Sequence, residues 1–254
     1  AVGEGVPPEQ VGRSVMAFTA WGAFAQQAVV QHNRCVPMPE GMGFEVAGAF
    51  WMTYGTCYHA LKDRGQLAAG DTVLVLGASG GIGLATIEIA KALGARVIAA
   101  ASSDDKLAVC QRHGADELIN YQTQDLRERL KALTQGKGVD VVCDPVGGAY
   151  TEPALRSMAW RGRYLVVGFA NGEIPRIPLN LVLLKGCAVV GVFWGDYVQR
   201  EPAHNAQDLQ ALAAMYQAGQ LKPYVSGTFA LDDAGLAIER LAQRQVSGKL
   251  VVLP

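Results

Sequence analysis

The sequence predicts an α/β fold built on a doubly wound parallel sheet, with a smaller β-rich portion attached. Three observations predict it. From Asp71 onward, short apolar runs alternate with helical patterns. The first of these runs leads directly into a glycine-rich turn, Thr72-Val-Leu-Val-Leu-Gly77-Ala-Ser-Gly80-Gly81-Ile-Gly83. Residues 1–50 carry a different composition, rich in Gly, Pro and short apolar pieces. The 254 residues are half hydrophobic, enough for one large or two smaller cores.

In chain order, Val15-Met-Ala-Phe18 and Ala23–Val30 read as strands, with Val36-Pro-Met-Pro39 as a connector. Residues 44–62 read as helical and lead into a turn at Gly65–Gly70. Strands follow at Thr72–Leu76, Arg96–Ala101, Glu117–Asn120, Val139–Asp144, Tyr164–Phe169 and Ala188–Phe193. Their near-continuous apolar character suits strands covered on both faces. Helical patterns separate several of them, at Leu84–Leu93, Asp105–His113, Leu126–Leu133 and Tyr150–Met158. The tail holds helices at Asp208–Ala218 and Asp233–Gln243 and a last strand at Lys249–Leu253.

Charge and composition exclude several classes. The net charge is −1 and no Lys/Arg-rich run occurs, which argues against nucleic acid and acidic membrane surfaces as partners. The longest apolar run, Leu179 to Trp194, is short and broken by Lys185, so no membrane span is expected. No basic region followed by an apolar one opens the chain, so no signal peptide is expected. Five scattered cysteines without a C-x-x-C pair imply a reducing compartment, the cytoplasm or the mitochondrial matrix. Four dispersed histidines give no metal-ligand spacing, and no metal is expected.

The glycine turn carries the chemistry. Glycines let backbone N–H groups approach a pyrophosphate, and the following helix N-terminus adds partial positive charge. The strand–turn–helix frame makes this a Rossmann dinucleotide site rather than a bare tight turn. At the end of the second strand, where an acidic residue would bond the ribose 2′-hydroxyl of NADH, the sequence has Ala101-Ser102-Ser103-Asp104-Asp105-Lys106. Serine hydroxyls and a lysine ammonium suit a 2′-phosphate and favour NADPH. Ser102 or Ser103 equally suits a helix cap, with Asp104 and Asp105 in an electropositive first turn.

Further segments accompany this turn: Gly22-Ala-Phe-Ala25, Thr53-Tyr-Gly-Thr-Cys-Tyr-His-Ala-Leu61, Ala115-Asp-Glu-Leu-Ile-Asn-Tyr121, Val139-Asp-Val-Val-Cys-Asp-Pro-Val-Gly-Gly148 and Arg244-Gln-Val-Ser-Gly-Lys-Leu-Val-Val-Leu-Pro254. In their order and spacing the chain resembles the zinc-independent, zeta-crystallin-like quinone oxidoreductases of the medium-chain dehydrogenase/reductase superfamily, from about Val11 to Pro254. The resemblance implies a Rossmann domain over residues 51–221 and a partial GroES-like catalytic domain over 1–50 and 222–254. It implies Thr56 at the nicotinamide ribose and Ser79, Gly80, Gly81 and Ile82 along the pyrophosphate. Ser102, Lys106, Tyr121 and Arg244 would surround the 2′-phosphate, and Phe169, Phe193 and Trp194 would line the nicotinamide. It also implies a homodimer joined at the Rossmann sheet edge, Cys187-Ala-Val-Val-Gly-Val-Phe193.

Zinc relatives place a cysteine ligand four residues before the threonine matching Thr56; Met52 stands there, and a thioether does not replace a thiolate for zinc. Family members carry further residues at the front that complete the catalytic domain, and this chain opens inside it at Ala1. The implied reaction is hydride transfer from NADPH to a small-molecule quinone or activated enone. No proton donor is assigned; Tyr54 and Tyr58 flank Thr56 but suit helix packing as well. An NADPH-binding pseudoenzyme or sensor without turnover is the alternative. A short-chain dehydrogenase fits poorly, because the one Y-x-x-x-K match, Tyr58-His-Ala-Leu-Lys62, lies upstream of the glycine turn.

Overall fold

The computed structural model describes residues 1–254. First come β1 (Val15–Ala17), β2 (Cys35–Pro37) and α1 (Phe44–Tyr58), which widens into a π-helical turn over His59–Arg64. The alternation then runs β3 (Thr72–Leu76), α2 (Gly81–Ala92), β4 (Arg96–Ala101), α3 (Asp104–Arg112), β5 (Glu117–Asn120) and α4 (Leu126–Leu133). It continues through β6 (Val139–Asp144), α5 (Thr151–Arg156), β7 (Met158–Val166), α6 (Leu179–Lys185), β8 (Ala188–Gly191), α7 (Trp194–Arg200) and α8 (Pro202–Gln217). β9 (Val225–Ala230), α9 (Ala234–Ala242) and β10 (Lys249–Leu253) follow.

Six strands form one sheet in the order β5-β4-β3-β6-β7-β8, every neighbouring pair parallel. The winding reverses between β3 and β6. In open parallel sheets the crevice beyond the strand ends at such a reversal is where ligands bind. β1 pairs with β2 antiparallel and β9 with β10 parallel, each pair forming a separate two-stranded sheet.

Strand alternation explains the two cores. Val73, Val75, Val97 and Ala99 face one side and pack with residues of α1 and α2. Leu74, Leu76, Ile98 and Ala100 face the other and pack with residues of α4 and α5. All eight are fully buried, and each Val, Leu or Ile so buried stabilises by about 1.5–3 kcal/mol. No helix is long and apolar enough to cross a membrane.

One polar group inside this core ties distant segments together. Glu88 of α2 is 4% exposed. Its carboxylate accepts from the Tyr54 hydroxyl of α1 at 2.7 Å and from the Lys222 backbone N–H at 2.9 Å. It also pairs with His113 Nδ1, just past α3, at 2.5 Å. Burial first, then the Glu88 charge, pushes the Tyr54 phenol well above its ordinary range.

The structure corrects several sequence expectations. Ala23–Val30 is not a strand; it is irregular and mostly exposed, since nothing pairs with its backbone. The supposed connector at Val36–Pro39 begins instead as β2, paired through Cys35–Pro37. The strand expected at Ala188–Phe193 is shorter, ending as β8 at Gly191, and α6 before it, stopped by Gly186 with a left-handed φ of 56°, is an addition to the expected elements. β7 starts six residues earlier than expected, at Met158, and ends at Val166. α8 starts at Pro202, a residue suited to a first helical turn. β9 was not expected, because Ser226 and Gly227 interrupt its apolar pattern.

Candidate dinucleotide-binding site

β3 ends at Leu76 and the chain turns through Gly77, whose φ of 58° is the left-handed conformation that glycine tolerates. A Cβ there would stand 2.6 Å from Val146. Gly80 is the N-cap of α2, and no side chain caps that helix. Its first-turn N–H groups have no acceptor within the helix, the usual condition for anion binding. At Gly83 a Cβ would overlap the backbone of Ala78, so α2 sits directly on the turn.

The far end of the chain closes on the same turn. The Gly248 N–H donates to the Ser79 carbonyl at 2.7 Å, and Gly80 forms a parallel bridge with Gly248. The side chain of Lys249 lies across Gly81, where a Cβ would come within 2.8 Å of it. Burial lowers the Lys249 pKa, and nearby Cys57 opposes that shift. Ser79 is buried. The Ile82 carbonyl accepts from Thr86 Oγ1 at 2.7 Å and from Cys57 Sγ at 3.3 Å, which pins the start of α2 to α1. A bare helix start, glycines that keep it clear and an adjacent lysine fit a diphosphate.

A second cluster lies beyond β4. Lys106 Nζ donates to Ser102 Oγ at 3.2 Å and to the Arg244 carbonyl at 2.9 Å. Burial raises the Tyr121 pKa, Tyr150 adds to the rise, and Ser102 beside the hydroxyl counters it. The rings of Tyr121 and Tyr150 stand 4.2 Å apart. The Arg244 guanidinium donates to Asn171 Oδ1 at 3.0 Å. Ser102 and Lys106, four residues apart, are thus brought together with the more distant Tyr121 and Arg244.

The capping question has a simple answer here. Ser103 caps α3 by accepting from the Lys106 backbone N–H, which leaves Ser102 for the cluster. The Asp104 carboxylate accepts from Asn120 Nδ2 at 2.8 Å.

At the other end, Thr56 is half-buried and its hydroxyl donates to the Met52 carbonyl at 2.6 Å, one turn back in α1. Phe169 is partly exposed and packs on Gly147, where a Cβ would lie 2.9 Å from its ring. That turn is held by Asp144, which accepts from the Val146 and Gly147 N–H groups at 2.8 Å each and from the Tyr164 hydroxyl at 2.5 Å. Phe193 is 74% exposed. Trp194 is not on that surface. Its ring is buried edge-on to Phe18 and Trp51, centroids 5.5 and 6.1 Å away, and its Nε1 presses on Gly55 without a hydrogen-bond partner. Core packing, not an open cleft, accounts for this tryptophan.

Sequence reasoning missed two residues. Lys249 stands within a recognised tail segment but was assigned no role. Asn171 follows no motif, and nothing in its neighbours signals a contact with Arg244. No three His, Cys, Asp or Glu side chains converge in a way that would hold a metal ion.

Comparison with known proteins places this geometry among relatives. A family model described as zinc-binding dehydrogenase matches residues 81–213. Quinone oxidoreductase-like protein 2 of Bos taurus is 36% identical over 251 residues, covering 98% of this chain and 72% of that protein. Its homolog in Nematostella vectensis is 36% identical over 233 residues, covering 91% of this chain and 64% of that protein. The chain therefore spans roughly two thirds of these relatives' length. The crystal structure of Escherichia coli quinone oxidoreductase complexed with NADPH superposes with a TM-score of 0.92 at 29% identity, over 100% of this chain and 78% of that one.

Proposed function

This chain belongs to the zinc-binding dehydrogenase family, among its quinone oxidoreductase-like members, and from that premise we propose that it is an NADPH-dependent oxidoreductase acting on a quinone or an activated enone. The observation that carries the coenzyme choice is the convergence of Ser102, Lys106, Tyr121 and Arg244 where an NADH site would present a free carboxylate. Two cations and two hydroxyls there complement a phosphate dianion. When bound, NADPH supplies the hydride, and a reduced quinone takes its proton from solvent. The chain's own residues bind and orient. The α2 N-terminus and Lys249 would hold the diphosphate, while Thr56 and Phe169 would flank the nicotinamide end. No acid is assigned.

The domain reading is residues 51–221 for coenzyme and 1–50 with 222–254 for the β-rich catalytic part. Met52 at the position of a zinc ligand supports a zinc-free reaction, because a thioether is a poor zinc ligand. Titration of NADPH and NADH by coenzyme fluorescence, followed by NADPH oxidation with a panel of quinones and enones, tests the function. The expected result is tighter binding of NADPH and its oxidation by at least one quinone. Absence of NADPH binding by folded protein overturns the reading. Tight binding with no oxidation by any acceptor points instead to a coenzyme-binding protein without turnover.

We further propose that two copies pair through the β8 edge. β8 ends the six-stranded sheet, and Leu179, Leu183 and Leu184 beside it are each more than 70% exposed. An unpaired apolar edge favours association with its twin. Light scattering is expected to give twice the 26.9 kDa chain mass; a monomer at working concentration rules the pairing out.

A further inference from the structure

Asn171 lies in the loop between β7 and α6, far in sequence from the residues it contacts. Its Oδ1 accepts the hydrogen bond from Arg244. Its Nδ2 fills the space above Gly148, where a Cβ would overlap it. Gly148 has a left-handed φ of 65° and begins the short turn that ends at Tyr150. One side chain is therefore wedged between the tail and the turn whose tyrosine stands against Tyr121.

These contacts close a ring. Lys106 bonds Ser102, Ser102 lies beside Tyr121, and Tyr121 stands against Tyr150. Asn171 rests on the turn leading to Tyr150 and holds Arg244, whose carbonyl returns to Lys106. Strand order alone brings Ser102, Lys106 and Tyr121 together. Arg244 arrives from the tail, with an unusual left-handed φ of 57°. What fixes it is its carbonyl on Lys106 and its guanidinium on Asn171.

The chemical type of the partner matters. Arg244 forms no ion pair in the structure, although five Lys or Arg side chains pair with carboxylates elsewhere. A carboxylate at position 171 would orient the guanidinium but also neutralise it. An amide oxygen orients it and leaves its full charge available to an anion.

We propose that Asn171 is a positioning residue that sets preference for the 2′-phosphorylated coenzyme, by aiming the Arg244 guanidinium at the 2′-phosphate without neutralising it. This rests on the NADPH reading above. It adds a determinant outside the β4–α3 segment where coenzyme choice is usually read.

The test uses two fragments that undergo no redox chemistry, adenosine 2′,5′-bisphosphate and 5′-AMP, titrated by calorimetry. In N171A the bisphosphate is expected to bind about five- to tenfold more weakly, the scale of one ordinary net hydrogen bond, with 5′-AMP unchanged. N171D is expected to lose at least as much, because its carboxylate pairs with Arg244. In an R244A background N171A is expected to add no further loss. Equal weakening of both fragments, an unchanged bisphosphate affinity, or a loss that persists without Arg244 overturns the proposal. If the unsubstituted protein binds 5′-AMP but gains nothing from the 2′-phosphate, the NADPH reading itself fails; if it gains and N171A is silent, only the role of Asn171 fails.

Discussion

Replacing Lys106 by alanine is expected to weaken NADPH binding about 10- to 100-fold and to leave NADH binding unchanged. The ammonium is held 3.2 Å from Ser102 Oγ and 2.9 Å from the Arg244 carbonyl, so it is placed before any ligand arrives. A hydrogen bond between charged partners contributes about 1.5–3 kcal/mol, which is the quoted range of affinity. The helix itself survives the change, since the cap at Ser103 uses the Lys106 backbone N–H and not its side chain. NADH lacks the phosphate and gives the internal control. Parallel fluorescence titrations of both coenzymes decide it: equal losses for the two would place Lys106 in a general structural role and remove it from coenzyme choice.

Replacing Glu88 by alanine is expected to destabilise the fold by about 2–4 kcal/mol, since each buried donor left without its acceptor costs about 1–3 kcal/mol. The substitution removes the acceptor from three groups at once: the buried Tyr54 hydroxyl, the Lys222 N–H and the half-buried ring of His113. The Tyr54 hydroxyl bears most of the loss, because that residue is itself 3% exposed. For a chain of this size the melting midpoint falls by roughly 2–4 °C per kcal/mol, so a drop on the order of 10 °C is expected by calorimetry. Glu88→Gln keeps one acceptor oxygen and is expected to lose less. A midpoint within 2 °C of the unsubstituted protein would show that the network is not a principal tie between α1, α2 and the segment entering β9.

How legible the fold was depends on how each element buries itself. β3, β4 and β6 were readable to the residue because apolar runs such as Val73–Leu76 are buried on both faces, and β5, α4 and β10 were readable although each is partly exposed. β9 and α6 were not. β9 alternates half-buried with exposed positions and includes Ser226 and Gly227. α6 hides inside an apolar run because Leu179, Leu183 and Leu184 face outward, against the ordinary polarity of a surface helix.

The site divides in the same way. Glycines at 77, 80, 81 and 83 announce themselves, since each serves a local turn or a close approach. Ser102, Lys106, Tyr121 and Arg244 were reached through likeness to a family, and the structure gathers them. Adjacent residues escaped because neighbours in sequence part ways in space. Phe193 is exposed while Trp194 next to it is buried against Gly55, and no pattern in the sequence separates them. Asn171 is a long-range wedge, and a lone amide in a loop carries no periodicity to read.

The stitch between Ser79 and Gly248 has a temporal side. During synthesis all six strands of the large sheet are available long before residue 248 exists, and chains fold as their segments emerge. The glycine loop thus waits, with one carbonyl and one bridge unfilled, for the segment that carries Gly248. The strands of the large sheet therefore precede the completed glycine loop, which closes only when Gly248 reaches Ser79 and Gly80.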